Sequence, residues 1–201
     1  MTTSEILIKF ETQCDDNTEL SDQEELDLAN DVYTEIQDDR PWEWLKKTAT
    51  GTTSTTVPYI ALPTDFKSVM PNFDNESVVF VGNDFSPYKV IPFSSRRDYR
   101  DMNGFVYIDI PNSRLYFTLQ PTSALPIEYD YISVAPLLDT TSSNPLMPAR
   151  FHKMIAFGMA ASTPIMEQAD KAKSYVNENA LRFNDLLKDM AVEDAYIKLS
   201  I

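Results

Sequence analysis

Glycine is scarce in this sequence, with four in 201 residues. That excludes collagen-like and glycine-linker architectures and leaves little material for phosphate-cradling loops. Neither G-x-G-x-x-G nor G-x-x-x-x-G-K-S/T occurs, which removes the common nucleotide-binding loops. Cys14 is the only cysteine, so no intrachain disulfide is possible and a reducing site of folding is expected. His152 is the only histidine, and it lies in an apolar segment beside Phe151. A zinc site there would have only carboxylates to add, so His152 reads as a packing or capping residue. No serine is flanked by the glycines of a nucleophile elbow.

Cations are also in deficit. Seventeen Lys and Arg face thirty-one Asp and Glu, a net charge of −14. Sequence-independent binding to DNA or RNA needs cations to replace counterions, and docking on an anionic membrane needs them too; this balance opposes both. No run approaches the ~20 apolar residues that span a bilayer. The opening "MTTSEILIKF" has acid where a secretory signal needs base. The paired acids Asp15-Asp16, Glu24-Glu25, Asp38-Asp39 and Glu193-Asp194 read as solvated helix faces. The alternative is a hydrolase pair facing across a cleft. No catalytic residue, metal or cofactor is expected.

What is present is ordered in blocks. Thr2 with Glu5, and Ser21 with Glu24, form two capping boxes. Behind them Ile6, Leu7, Phe10 and Cys14, and then Leu26, Ala29, Val32, Tyr33 and Ile36, fall on helical stripes. Pro41 suits a first helical position, which puts Trp42 and Trp44 on a short helix closed by Lys46 and Lys47. From Val57 the period changes. "VPYIALP", "SVVFV", "YKVIPF", "GFVYIDI", "RLYFTLQ" and "IEYDYISV" read as strands. Residues 105–110 and 114–119 make a hairpin around "PNS", with Leu115, Phe117 and Leu119 on its buried face. "SSRRDYRDMN" reads as a short helix or exposed loop. Tyr99, Tyr107, Tyr116, Tyr129 and Tyr131 fit ordinary sheet faces, with a sugar-stacking platform as the alternative.

Helical signals return at Pro148. Phe151, Met154, Ile155, Phe157 and Met159 make a segment apolar nearly all round, which suits a core or a subunit interface. Thr163-Pro164 should break the helix. Ala169, Ala172, Val176, Ala180, Phe183, Leu187 and Met190 then repeat at heptad-like spacing. At the end Ile197, Leu199 and Ile201 alternate with Lys198 and Ser200, either to complete a strand or to add one to another protein.

The fold class this implies is α+β: a helical bundle formed by the N- and C-terminal helices, with an inserted antiparallel β domain. The boundaries are 1–50 plus 145–195 for the bundle, 55–140 for the β domain, and 196–201 for an extended C-terminal tail. Trp42 and Trp44 form a packed joint where the chain leaves the bundle, and the threonine-rich run after them supplies slack.

The motifs "DRPWEWL", "YIALPTDF", "IEYDYI" and Pro148 followed by "ARFHKMIAFGMA" resemble the head–tail adaptor (connector) proteins of tailed bacteriophages. The resemblance implies a virion protein of the head–tail junction, assembled in the bacterial cytoplasm, without enzymatic activity. It implies a homo-oligomeric, dodecameric ring between the portal and a tail or nozzle protein, lining a channel through which genomic DNA passes without specific binding. Portal binding falls on Ala195, Tyr196, Ile197, Lys198, Leu199, Ser200 and Ile201. Phe151, Met154, Ile155, Phe157 and Met159 are the expected subunit-packing residues. Strong acidity suits a channel to which DNA must not adhere, provided that acids such as Asp15, Asp16, Glu24 or Asp31 face it. The competing readings are a tail terminator or stopper ring, and a carbohydrate-binding or adhesion β module.

Overall fold

The structure is a computed structural model, and it describes residues 1–14, 20–71, 75–139, 143–162 and 169–199. The chain divides into two compact units, Met1–Trp44 with Ala135–Ile201, and Leu45–Val134.

The first unit holds α1 (Thr3–Gln13), α2 (Asp22–Asp39), α3 (Lys153–Ser162) and α4 (Ala169–Leu199). Both capping boxes form: Thr2 and Ser21 accept from the N3 backbone, while Glu5 and Glu24 reach back to the caps. Each helix start thereby satisfies donors that would otherwise be orphaned. The hub is α3, which packs against α1, α2 and α4. Its residues Met154 to Ala160 are all buried, as an all-round apolar helix requires. Close approach depends on Gly158, where an added Cβ would fall 2.5 Å from Val32 Cγ1 and 3.1 Å from the Phe183 ring. Side chains of α2 also hold the segment that leads into α3. Asn30 exchanges two hydrogen bonds with the Leu138 backbone, Gln37 Oε1 accepts from Ala135 N at 2.8 Å, and the Tyr33 hydroxyl accepts from Leu146 N at 2.9 Å.

The second unit is one eight-stranded sheet, nearly closed into a barrel. Its strands are β1 (Lys46–Thr52), β2 (Tyr59–Ala61), β3 (Phe66–Val69), β4 (Val78–Val81), β5 (Ser86–Ile91), β6 (Phe105–Asp109), β7 (Arg114–Phe117) and β8 (Pro126–Ser133). The order is β1-β8-β4-β5-β6-β7-β2, with β3 also on β8. Inside lie Ala49, Leu62, Val79, Val81, Val106, Leu115, Phe117, Ile127 and Tyr129. These are the alternate, inward residues that a half-buried strand supplies.

This overturns the expected fold class. The dominant element is a barrel-like sheet accompanied by four helices, and not a helical bundle with an inserted antiparallel β domain. The sheet is mixed, because β5 and β6 run parallel. Residues 92–104, which include the 3₁₀ turn Phe93–Arg97, carry the chain back to the same end, as a parallel pair requires. The helices cluster around a ten-residue hub, and α1 barely meets α2.

Local expectations change too. Trp44 lies in a 3₁₀ turn of only three residues, Glu43–Leu45, and the "KKTATGT" that follows is β1, paired along its whole length with β8. The first half of the threonine run, to Thr52, is therefore strand rather than helix end and slack, and its β-branched side chains suit a pleated edge, while residues 53–58 lie outside the strands. The hairpin between β6 and β7 turns through four residues, Ile110 to Ser113, with Ser113 at φ 50° and its N–H on the Ile110 carbonyl. At the C-terminus α4 continues to Leu199, so Ala195 to Leu199 are helical and not an extended tail. Ser200, Ile201, Asp15, Asp16 and the Thr163-Pro164 break lie outside the described residues.

Candidate functional site

Several residues singled out in the sequence are spent on folding. Trp42 is fully buried and donates its indole N–H to the Ile36 carbonyl at 2.6 Å, with the Arg40 guanidinium over its ring at 4.9 Å. Trp44 stacks on Tyr33, ring centroids 6.2 Å apart and planes 7° off parallel. Phe151, Met154, Ile155, Phe157 and Met159 are all buried within this one chain. Lys9 and Arg182 cover the Phe157 ring at 5.5 and 5.6 Å. These five apolar side chains are thus used in the packing of this chain. His152 is buried, its Nε2 2.8 Å from the Met147 carbonyl and its Nδ1 2.9 Å from the Met1 carbonyl, which is a packing role. Among the described residues no group of three or more His, Cys, Asp or Glu is placed to hold a metal ion, and no helix is long and apolar enough to cross a membrane.

The sheet unit carries a different kind of feature on its outer face. Cross-strand register sets Tyr107 of β6 opposite Tyr116 of β7, and Tyr116 opposite Tyr59 of β2. All three point outward, because their neighbours Val106, Leu115 and Ile60 face the core. Tyr107 and Tyr116 stack with centroids 5.2 Å apart and planes 4° off parallel; Tyr59 tilts against Tyr116 at 5.1 Å. Phe93 meets Tyr107 edge-on at 5.8 Å. Each end is capped by an arginine. Arg96 lies 3.9 Å over Phe93, and Arg114 lies 4.0 Å over Tyr59 while donating to the Tyr116 hydroxyl at 3.3 Å.

The result is a continuous row, Arg96-Phe93-Tyr107-Tyr116-Tyr59-Arg114, on a strongly acidic chain. Partial burial pushes the Tyr107 phenol up, helped by the neighbouring Tyr116, so it stays neutral and can donate. The hydrogen bond to Tyr116 holds Arg114 above its ordinary value. Stacked guanidinium groups keep edge N–H donors for a ligand while their faces lie on the rings. Each such cation–π contact is worth roughly 0.5–2 kcal/mol, so the row is held in shape before any partner arrives. Phe93 is 45 % exposed, and Arg97 and Arg100 beside it are exposed.

Of the five tyrosines considered together in the sequence, Tyr107 and Tyr116 join this row, whereas Tyr99 packs on Phe105 at 4.6 Å beside it. Tyr129 and Tyr131 point inward, where burial raises both phenols to about 12. Tyr59, Phe93, Arg96 and Arg114 were not singled out. The period-2 pattern shows which face a residue takes, but which strands lie side by side depends on pairings remote in sequence.

Packed rings between guanidinium groups offer area, hydrogen-bond donors and positive charge. That is the equipment of a structural protein that works by contact. The comparisons then supply the family: the family model of the SU10 adaptor protein matches residues 1–198, and the chain belongs to that family. It is a phage structural adaptor protein, in keeping with its resemblance to head–tail adaptors. No curated protein matches the chain.

Proposed function

We propose that this adaptor assembles as a ring between the portal and the tail, most simply a dodecamer, and lines the path of the exiting DNA. The observation that carries the reading is the family match over residues 1–198. Charge supports it: at −14 the chain repels a polyanion in transit instead of retaining it. Glu24 and Asp31 are exposed on α2 and are the described acids assigned to the lumen.

In this reading the C-terminal end, Ala195 to Ile201, meets the portal, and the row from Arg96 to Arg114 meets the tail or nozzle protein. Adaptor particles take part in genome ejection by holding that path open. The direct test is co-sedimentation of the purified chain with portal particles, followed by mass measurement of the complex. Saturation at one copy per portal subunit is expected; a chain that stays in the supernatant refutes the reading. Removing Tyr196 to Ile201 should abolish portal attachment while the far-ultraviolet circular dichroism falls only by the last turn of α4 that is removed. Replacing Arg96 and Arg114 together by Ser should spare the portal complex and weaken tail joining at least ten-fold.

A further inference from the structure

The barrel does not close, and the place where it stays open has the properties of a strand-accepting site. The strand order ends in β1 on one side and β2 on the other. Hydrogen bonds flanking β1 fix which way its backbone points. Thr53 N–H donates to the Leu125 carbonyl, so by antiparallel alternation Ala49 and Gly51 bond to β8, while Thr48, Thr50 and Thr52 turn their N–H and C=O groups away from it. The opposite side of β8 agrees, since Gly82 and Met70 bond to the carbonyls of Pro126 and Asp130. The same reasoning applies to β2. Leu62 N–H donates to Ser113, and Phe117 N–H donates to Pro58, so Tyr59 and Ala61 present their backbone to the open side. Two rows of backbone groups thus border one groove of about 500 Å³, lined by Ala49 to Thr52, Tyr59 to Pro63 and Tyr129.

The groove is shaped for side chains as well as backbone. The inward positions of β1 beside it are Ala49 and Gly51, the smallest available, and a Cβ on Gly51 would meet only ordinary contacts at 3.5 Å or more. Large residues line the other walls, namely Ile60, Leu62 and Tyr129. Outside, the cross-strand partners of Thr48 and Thr50 are Asp130 and Glu128, both exposed, with Thr48 Oγ1 donating to Asp130 at 2.6 Å. An incoming strand therefore gains from apolar residues on its inner side and, along the β1 rim, from cations on its outer side, whereas the β2 rim carries the Arg114 guanidinium over Tyr59.

We propose that β1 accepts a ninth strand from a partner protein: an extended segment alternating apolar with basic residues, running antiparallel to β1 along Thr48, Thr50 and Thr52. Main-chain bonds supply affinity and the alternate pockets supply selection, as in strand addition generally. An exposed edge of this length is otherwise a liability that proteins cover.

The test uses the full chain and a nine-residue peptide alternating isoleucine and lysine, with an isoleucine–glutamate peptide as its counterpart. Hydrogen exchange at the amides of Thr48, Thr50 and Thr52 should slow at least ten-fold when the lysine peptide is added, with Ala49 and Gly51 unchanged. Thr50→Pro should fold, because the lost N–H points away from β8, and should weaken peptide binding at least ten-fold. Should that variant misfold, the exchange result in the unmodified chain decides alone. Glu128→Lys with Asp130→Lys should reverse the preference between the two peptides. Unslowed edge amides, or equal binding of both peptides to the unmodified chain, overturn the proposal. A peptide of residues 193–201 that outcompetes the lysine peptide overturns it in favour of a second copy.

Discussion

The helical unit and the sheet unit solve the same problem in different ways. Around α3 every large apolar side chain between Met154 and Met159 is covered, Asn30, Gln37 and Tyr33 tie down the backbone beside α2, and a glycine lets the helices touch. The sheet unit has a core as well buried, with Val79, Val106 and Leu115 at 0 % exposure, yet it leaves an edge of threonine backbone and a row of aromatic rings facing outward. Helices satisfy their own main chain, so a helical unit can finish internally. A sheet satisfies its main chain only through neighbours, and any sheet that fails to close keeps a place for one more.

Substitutions in the two cores should give the largest effects. Trp42→Ala removes a fully buried indole and its bond to Ile36, and should cost ~3–5 kcal/mol. In hydrogen exchange that loss should appear at Val32 and Ile36, with the sheet amides little changed. Leu115→Ala should cost ~2–5 kcal/mol and show the reverse pattern. If either variant accelerates all amides equally, the two units unfold as one and the contrast fails.

Two glycines sharpen the comparison at a smaller scale. Gly158→Ala drives a methyl group to 2.5 Å from Val32 and should destabilise by ~1–3 kcal/mol in urea titration. Gly51→Ala meets only ordinary contacts and sits at the open groove, so its effect should stay within about 1 kcal/mol, offset by the entropy removed from the unfolded chain. Equal costs at both sites would mean that the groove is as tightly filled as the helix contact.

The pH responses should be the smallest. Burial raises Tyr33 in the helical unit, and Tyr129 and Tyr131 in the sheet unit, from 10 to about 12. A raised phenol gives stability that is whole below pH ~10 and is lost as pH rises toward 12, because the unfolded chain ionises first. Both units should soften there. Both units have an acid-side counterpart. In the sheet Lys47 donates to Asp65 at 2.6 Å and holds its carboxyl below the ordinary 3.8, and in the helical unit the hydrogen bonds from Ser21 hold the exposed Glu24 below the ordinary 4.5. That stability is present above pH ~4 and lost as pH falls through the lowered value. Asp65→Asn should flatten part of the acid limb of the melting-temperature profile. It should also soften the alkaline limb, because the Asp65 carboxylate accepts from the Tyr131 hydroxyl at 2.9 Å and helps to raise that phenol.

Much of this molecule was legible in advance wherever the signal is local. The capping boxes at Thr2 and Ser21, the stripe from Leu26 to Ile36, the burial of Met154 to Met159 and six of the eight strands follow from side-chain chemistry at short spacing. The strands that escaped were β1, whose threonines and lysines carry no large apolar residue, and β3, with a single buried valine. The alternation of Ile197 and Leu199 suggested an extended tail, but the same residues continue α4. Five residues are too few for a period of 2.0 to be told from one of 3.6 when a long helix is already propagating into them.

The sequence by itself determined where helices begin, which faces are apolar, that the chain is strongly acidic, and that common cofactor motifs are missing; each follows from residues within a few positions of one another or from simple counting. Tertiary structure alone decided that β8 lies between β1 and β4, that β5 and β6 run parallel, that Tyr59 joins Tyr107 and Tyr116, and that β1 and β2 border an open groove. Strand neighbours are chosen by which edges and side chains fit together across dozens of residues, and no local pattern encodes that choice.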